Sequence, residues 1–97
     1  MEKETIKLMR TAQIFKAIGH PDRIAIIELL AKSKQMSVNE ISKALKLRQP
    51  VASNQLNTLK NKDVLRSKRV GKNIYYSIGC AGITDAIKII LHLVKEN

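Results

Sequence analysis

Residues 37–60 read SVNEISKALKLRQPVASNQLNTLK, and this stretch decides the fold. Ser37 and Glu40 stand at the spacing of a capping box, in which each side chain satisfies a free backbone N–H of a helix's first turn. A helix therefore begins at Ser37, carries Val38, Ile41, Ala44 and Leu45 as its apolar stripe, and ends near Lys46. Another begins around Gln49-Pro50, because proline suits the first turn of a helix, and runs to about Lys60. Its buried set is Ala52, Leu56 and Leu59, at i, i+4 and i+7. The short link Leu47-Arg48-Gln49 is the connection of a helix-turn-helix. On the opposite side of the later helix stand Gln49, Ser53, Asn54 and Asn57, uncharged hydrogen-bonding groups where a surface helix more often carries Lys and Glu.

Working outward, the period changes after Val64. Val64 to Val70 is β-branched and basic, Gly71-Lys72 is a turn signal, and Asn73 to Ile78 contains Ile74-Tyr75-Tyr76. The spacing predicts a two-stranded hairpin with a basic tip at Lys68, Arg69, Lys72 and Asn73. Upstream, residues 4 to 18 are helical by the spacing of Leu8, Ala12 and Phe15, with Ile6, Met9, Ile14 and Ile18 widening the stripe. Gly19 stops that helix and Pro21 starts a second, over about 21 to 32, which is apolar nearly all round and belongs at the centre of the core. Residues 80 to 95 return to helix, with Cys80, Ile83, Ile87, Ile90 and Val94 on one face and Leu91 and Leu93 beside it. The expected fold is mainly α with a β-hairpin, in the order α-α-α-α-β-β-α, a winged helix-turn-helix that occupies 1–97 as one domain.

So broad an apolar surface at both ends exceeds what the edge of a small core needs. A chain of 97 residues also buries a modest share of its surface alone, so association helps it. Leu8, Ala12 and Phe15 of the first helix, with Ile83, Ile87, Ile90, Leu91 and Val94 of the last, are therefore expected to form a homodimer interface.

The net charge of +10 has a location. Residues 32–72 hold eleven basic side chains against two acidic ones, a net +9, and the remaining residues carry +1. The charge thus coincides with the helix-turn-helix and the hairpin, which points to a polyanion. The polar face narrows that to duplex DNA, because short polar side chains read base edges in the major groove, and glutamine pairs adenine through two hydrogen bonds. Gln49, Ser53 and Asn54 are the expected base readers. Lys43, Lys46, Arg48, Lys60 and Lys62 flank them as phosphate contacts, with Asn57 further along the same face.

Other classes are disfavoured. The single Cys80 forms no internal disulfide, and no apolar run approaches the roughly 18 residues of a membrane span. MEKETIKLMR lacks the apolar core of a signal peptide, so a cytoplasmic location is the expectation, with no membrane partner. No Ser/His/Asp set, phosphate-cradling glycine loop or acidic pair supports catalysis. A winged helix that docks an acidic protein without reading DNA is the competing function.

The residues also resemble a known family. Phe15-Lys16-Ala17-Ile18-Gly19-His20-Pro21-Asp22-Arg23, Ile27-Glu28-Leu29-Leu30, the run Gln49 to Leu59, and Arg69-Val70-Gly71-Lys72-Asn73-Ile74-Tyr75-Tyr76-Ser77-Ile78 are similar to the ArsR/SmtB bacterial winged-helix repressors, in order and over nearly the whole chain. The resemblance implies a homodimer built from first and last helices, an inverted-repeat operator in double-stranded DNA, and release by an inducer. It implies base reading at Gln49, Pro50, Ser53 and Asn54, and a wing over Lys68 to Asn73. The family often has His or Lys where Asn54 and Asn57 stand, and Ser at Arg48, so operator sequence does not carry over.

The family's metal sites do not map onto this chain. Where one places a pair of Cys around a Val, this sequence has Ser37-Val38-Asn39. Where another uses Asp and His at the start of the last helix, Asp85 is present but Ile87 replaces His. His92 and Glu96 stand at i, i+4, too few ligands for zinc. No metal or cofactor is expected, and the inducer is left unidentified. Cys80 is read as a small buried apolar residue at a helix start, and His20 as a helix cap or packed side chain.

Overall fold

The structure is a computed structural model that describes residues 2–95, the side chain of Lys95 excepted. Its elements are α1 (Glu2–Ile18), α2 (Pro21–Ser33), β1 (Gln35–Ser37), α3 (Val38–Leu45), α4 (Gln49–Asn61), β2 (Leu65–Val70), β3 (Asn73–Ile78) and α5 (Ile83–Lys95). Local chemistry sets most of these bounds. Where α1 ends, a Cβ on Gly19 would lie 3.1 Å from the Phe15 carbonyl oxygen, so the absence of a side chain lets the chain turn there. His20 then caps α2: in extended backbone, its Nδ1 accepts the Asp22 N–H at 3.0 Å, and Pro21 follows at the first helical position.

The capping box of α3 forms as the spacing predicts. The Glu40 N–H donates to Ser37 Oγ at 3.2 Å, and the Ser37 N–H donates to Glu40 Oε1 at 2.9 Å. Lys46 ends the helix in the left-handed region at φ 55°. The Leu47 N–H donates to the Ser42 carbonyl at 3.0 Å, while the Ser42 hydroxyl donates to the Leu47 carbonyl, which ties the turn back onto α3. Arg48 is the N-cap of α4 without a side-chain capping bond, so its guanidinium is left exposed beside the turn.

One element is new. Gln35–Ser37 forms a short strand, so the expected hairpin is the larger part of a three-stranded antiparallel sheet in the order β1-β3-β2. In its register Ser37 lies opposite Tyr75, and Tyr75 lies opposite Lys68. The residue that caps α3 is therefore paired in register with a strand of the wing, and the helix-turn-helix and wing share one frame. Gly71, at φ 64°, opens the two-residue turn between β2 and β3, a position that glycine adopts without strain.

The core forms where α2, α3, α4, α5 and the sheet meet. Ile26, Ile27, Ile41, Leu56, Leu59 and Val64 are fully buried there, with Leu30, Leu65 and Tyr76 beside them. Burial pushes the Tyr76 phenol above its ordinary pKa by desolvation. Ala44, expected in the buried stripe of α3, is exposed; α3 is short, and Ile41 alone of its residues is buried. The last helix starts at Ile83 rather than at Cys80, because the Ile83 N–H donates to the Cys80 carbonyl at 3.1 Å and Gly79 and Cys80 serve as the link.

Ser37 holds two structures at once, the start of α3 and the end of β1. Ser37→Ala is expected to destabilise the chain by about 1 kcal/mol in urea melts, the usual worth of a side-chain N-cap. A loss under about 0.3 kcal/mol would show that the strand holds α3 without the cap.

Candidate nucleic-acid interface

The site is built on α4. Ala52, Leu56 and Leu59 anchor this helix in the core, which turns Gln49, Pro50, Asn54 and Asn57 to the surface. Ser53 is half-buried, one turn beyond Gln49. The sheet brings the wing to the same place. Gln49 and Ser53 share a polar cavity of about 300 Å³ with Lys72 of the β2–β3 turn, Asn73 at the start of β3 and Asn39 of α3. The wing base and two of the expected base readers thus meet, although more than a dozen residues of helix, turn and strand separate them in the chain.

Asn39 was not among the residues singled out in the sequence. Its position just inside the capping box was the available signal, but only β1 shows that this end of α3 abuts the wing. The cavity also receives the first turn of α3, whose leading backbone N–H groups have no partner within the helix and favour an anion. Pro50 and Asn54 lie outside that cavity, on the exposed part of α4.

The expected phosphate contacts Lys43, Lys46, Arg48 and Lys60 are all exposed, as are Lys68, Arg69 and Lys72. Lys43 and Lys46 close α3, Arg48 precedes α4, and Lys60 lies in its last turn. They therefore flank the polar face on both sides. An array of mobile cations around a rigid polar face suits a phosphate backbone, which binds through charge and counterion release, with base edges between.

The apolar surface divides differently from the expectation. Leu8 (69% exposed), Phe15 (58%), Val94 (63%), Ile90 (41%) and Leu91 (37%) are open to solvent, and so is Ala12. Ile83 and Ile87, expected in the same surface, are each 4% exposed and pack in the core of their own chain, Ile87 at the edge of the apolar cavity that Ile90 and Leu91 also line. The reason is geometric: α5 packs its first turns on α2, so the inward half of its stripe is used before any partner arrives. Met9, Ile89 and Leu93, also exposed, extend the open surface instead. Phe15, Ile90 and Leu91 line one apolar cavity of about 200 Å³, so α1 and α5 border the same apolar surface.

Cys80 is half-buried and packs against the core, in the link before α5. Among the described residues, no three His, Cys, Asp or Glu side chains gather as a metal site would require. Glu96, the expected companion of His92, lies outside the described residues. No helix among the described residues is long and apolar enough to cross a membrane.

Comparison with known proteins places this geometry. A sequence model of the family described as "Bacterial regulatory protein, arsR family" matches residues 20–67. An HTH-type transcriptional regulator of Methanocaldococcus jannaschii is 38% identical over 91 residues, which cover 93% of this chain and 97% of that protein. The crystal structure of the transcriptional repressor PagR of Bacillus anthracis superposes with a TM-score of 0.81 at 35% identity, over 89% of this chain and 98% of that one. The homodimeric winged helix-turn-helix DNA-binding domain of a Mycobacterium bovis protein gives a TM-score of 0.86 over 100% of this chain and 89% of that one, and at 24% identity it speaks for the fold alone.

Proposed function

This chain belongs to the arsR family of bacterial regulatory proteins, and on that premise we propose that it is a homodimeric, sequence-specific DNA-binding repressor released by an inducer. The observation that carries the reading is the meeting of Gln49 and Ser53 on α4 with Lys72 and Asn73 of the wing around one polar cavity. A base-reading face with its own phosphate clamp suits duplex DNA better than an acidic protein, because each α4 needs a groove of fixed width and a backbone of fixed spacing.

In this reading, α1 and α5 of each copy join through the patch around Phe15, Ile90 and Val94. The two α4 helices enter successive major grooves of an inverted repeat, about 10 bp apart. Gln49, Pro50, Ser53 and Asn54 face base edges, while Lys43, Lys46, Arg48, Asn57, Lys60, Lys68 and Arg69 face the backbone. The similarity to PagR, itself a transcriptional repressor, supports repression. The residues that would bind metal in the family's known sites are replaced here at Ser37, Asn39 and Ile87, so this reading assigns no metal inducer to those sites.

The test selects bound fragments from a genomic library and then measures variants by gel shift with random competitor. Gln49→Ala and Ser53→Ala are expected to weaken the selected site about 10-fold while leaving random DNA nearly unchanged, at about 1–3 kcal/mol per lost base contact. Lys72→Ala is expected to weaken both, with a shallower salt dependence. Equal losses on all sequences for the first pair would remove them as base readers.

A further inference from the structure

Helix α1 has two working faces. At about 100° per residue, Leu8, Ala12 and Phe15 point one way, and Arg10, Gln13 and Ile14 point about 180° from them. The first set is exposed to solvent. The second walls a cavity of about 500 Å³ between α1 and the end of α4, within the size range of small-molecule sites. Lys62 and Asp63, which follow α4, and Val64 close the far side. This cavity is separate from the polar one at the wing and shares no residue with it.

Its chemistry is specific. Arg10 and Gln13, both exposed, line the α1 wall, and Lys62, exposed just after α4, lines the wall opposite. Ile14 and Val64 supply apolar surface in the same cavity. One carboxylate, Asp63, leaves the set with a net positive charge and offers an acceptor to a ligand hydroxyl. A ligand with two carboxylates on one carbon chain can pair with both cations and still lay its carbons on the apolar wall. We propose that this cavity binds a small dicarboxylate, with one carboxylate on the Arg10 fork, the other on Lys62, and the carbon chain against Ile14 and Val64.

The position gives the ligand a consequence, which rests on the repressor reading above. The ligand touches the back of the helix whose front carries Leu8 and Phe15, and it touches the end of the helix that carries Gln49 and Ser53. Occupancy therefore biases the angle between the pairing surface and the reading helix, which differential binding to two arrangements requires.

The experiment is calorimetric titration of the full chain with succinate at constant ionic strength, with propionate and inorganic phosphate as comparators. Saturable succinate binding is expected, at least about tenfold tighter than either comparator, and Arg10→Gln and Lys62→Gln are each expected to weaken it at least about tenfold, as loss of a charge-assisted hydrogen bond does. Circular dichroism checks that both variants keep their helix content. Absence of saturable binding, equal binding of propionate, or succinate affinity unchanged in both variants overturns the site. Gel shifts with the selected operator separate the two readings. Succinate binding without any effect on operator affinity overturns the coupling, whereas operator binding without succinate binding overturns the site and leaves the repressor intact.

Discussion

Phe15→Glu is expected to leave the chain folded, to make it monomeric, and to lower operator affinity about 10²–10⁴-fold, the gain that linking two binding modules confers. Phe15 is 58% exposed in the single chain, so the substitution removes no core packing. In a dimer it would bury a carboxylate within the patch formed with Ile90 and Leu91, where a charge without a partner is strongly unfavourable. Sedimentation at the concentrations used for gel shifts provides the check. Each monomer would keep its own Gln49, Ser53 and wing, so weak half-site binding should survive. A variant that still sediments as a dimer would move the pairing surface away from α1. The matched substitution Ile87→Glu distinguishes core from surface, because at 4% exposure it is expected to unfold the chain instead of dissociating it.

Leu56→Ala is expected to cost about 2–5 kcal/mol, the range for truncating a buried leucine where the site does not collapse. Leu56 is 0% exposed and sits on α4 between Ala52 and Leu59, so the hole opens beneath the reading face. A domain of this size has about 5–15 kcal/mol in all, so the variant should melt at least about 10 °C lower. Because pairing adds concentration-dependent stability, both proteins must be compared at one chain concentration. Operator affinity at a temperature where the variant remains folded should change far less than for Phe15→Glu. A loss below about 1 kcal/mol would mean that the core rearranges to fill the space, and α4 would then shift relative to the wing.

The contrast between these variants follows from what could be read locally. The capping box at Ser37 and Glu40, the proline starts at Pro21 and Pro50, and the glycine turn at Gly71 depend on neighbours within four residues, and they form where the spacing places them. The polar face of α4 was legible for the same reason, since Gln49, Ser53 and Asn57 recur with the helical period. The strand Gln35–Ser37 was not, because three residues are too few to show an alternation and its partner lies about forty residues away. The start of α5 was misplaced by an apolar period that runs on through the link at Gly79 and Cys80.

By itself, then, the sequence determined the order of helices and turns, the place of the charge, and the family to which the chain belongs, because each rests on short-range pattern. The tertiary structure decided which apolar side chains are available to a partner. Ile83, Ile87, Ile90 and Val94 follow one helical stripe and look alike in sequence, yet α2 covers the first two and leaves the others open. It likewise decided that Asn39 joins Lys72 at the reading face, and that Arg10 and Lys62 face one cavity. Burial and cavities depend on which surfaces meet across long stretches of chain, and periodicity within one helix carries no information about the element packed against it.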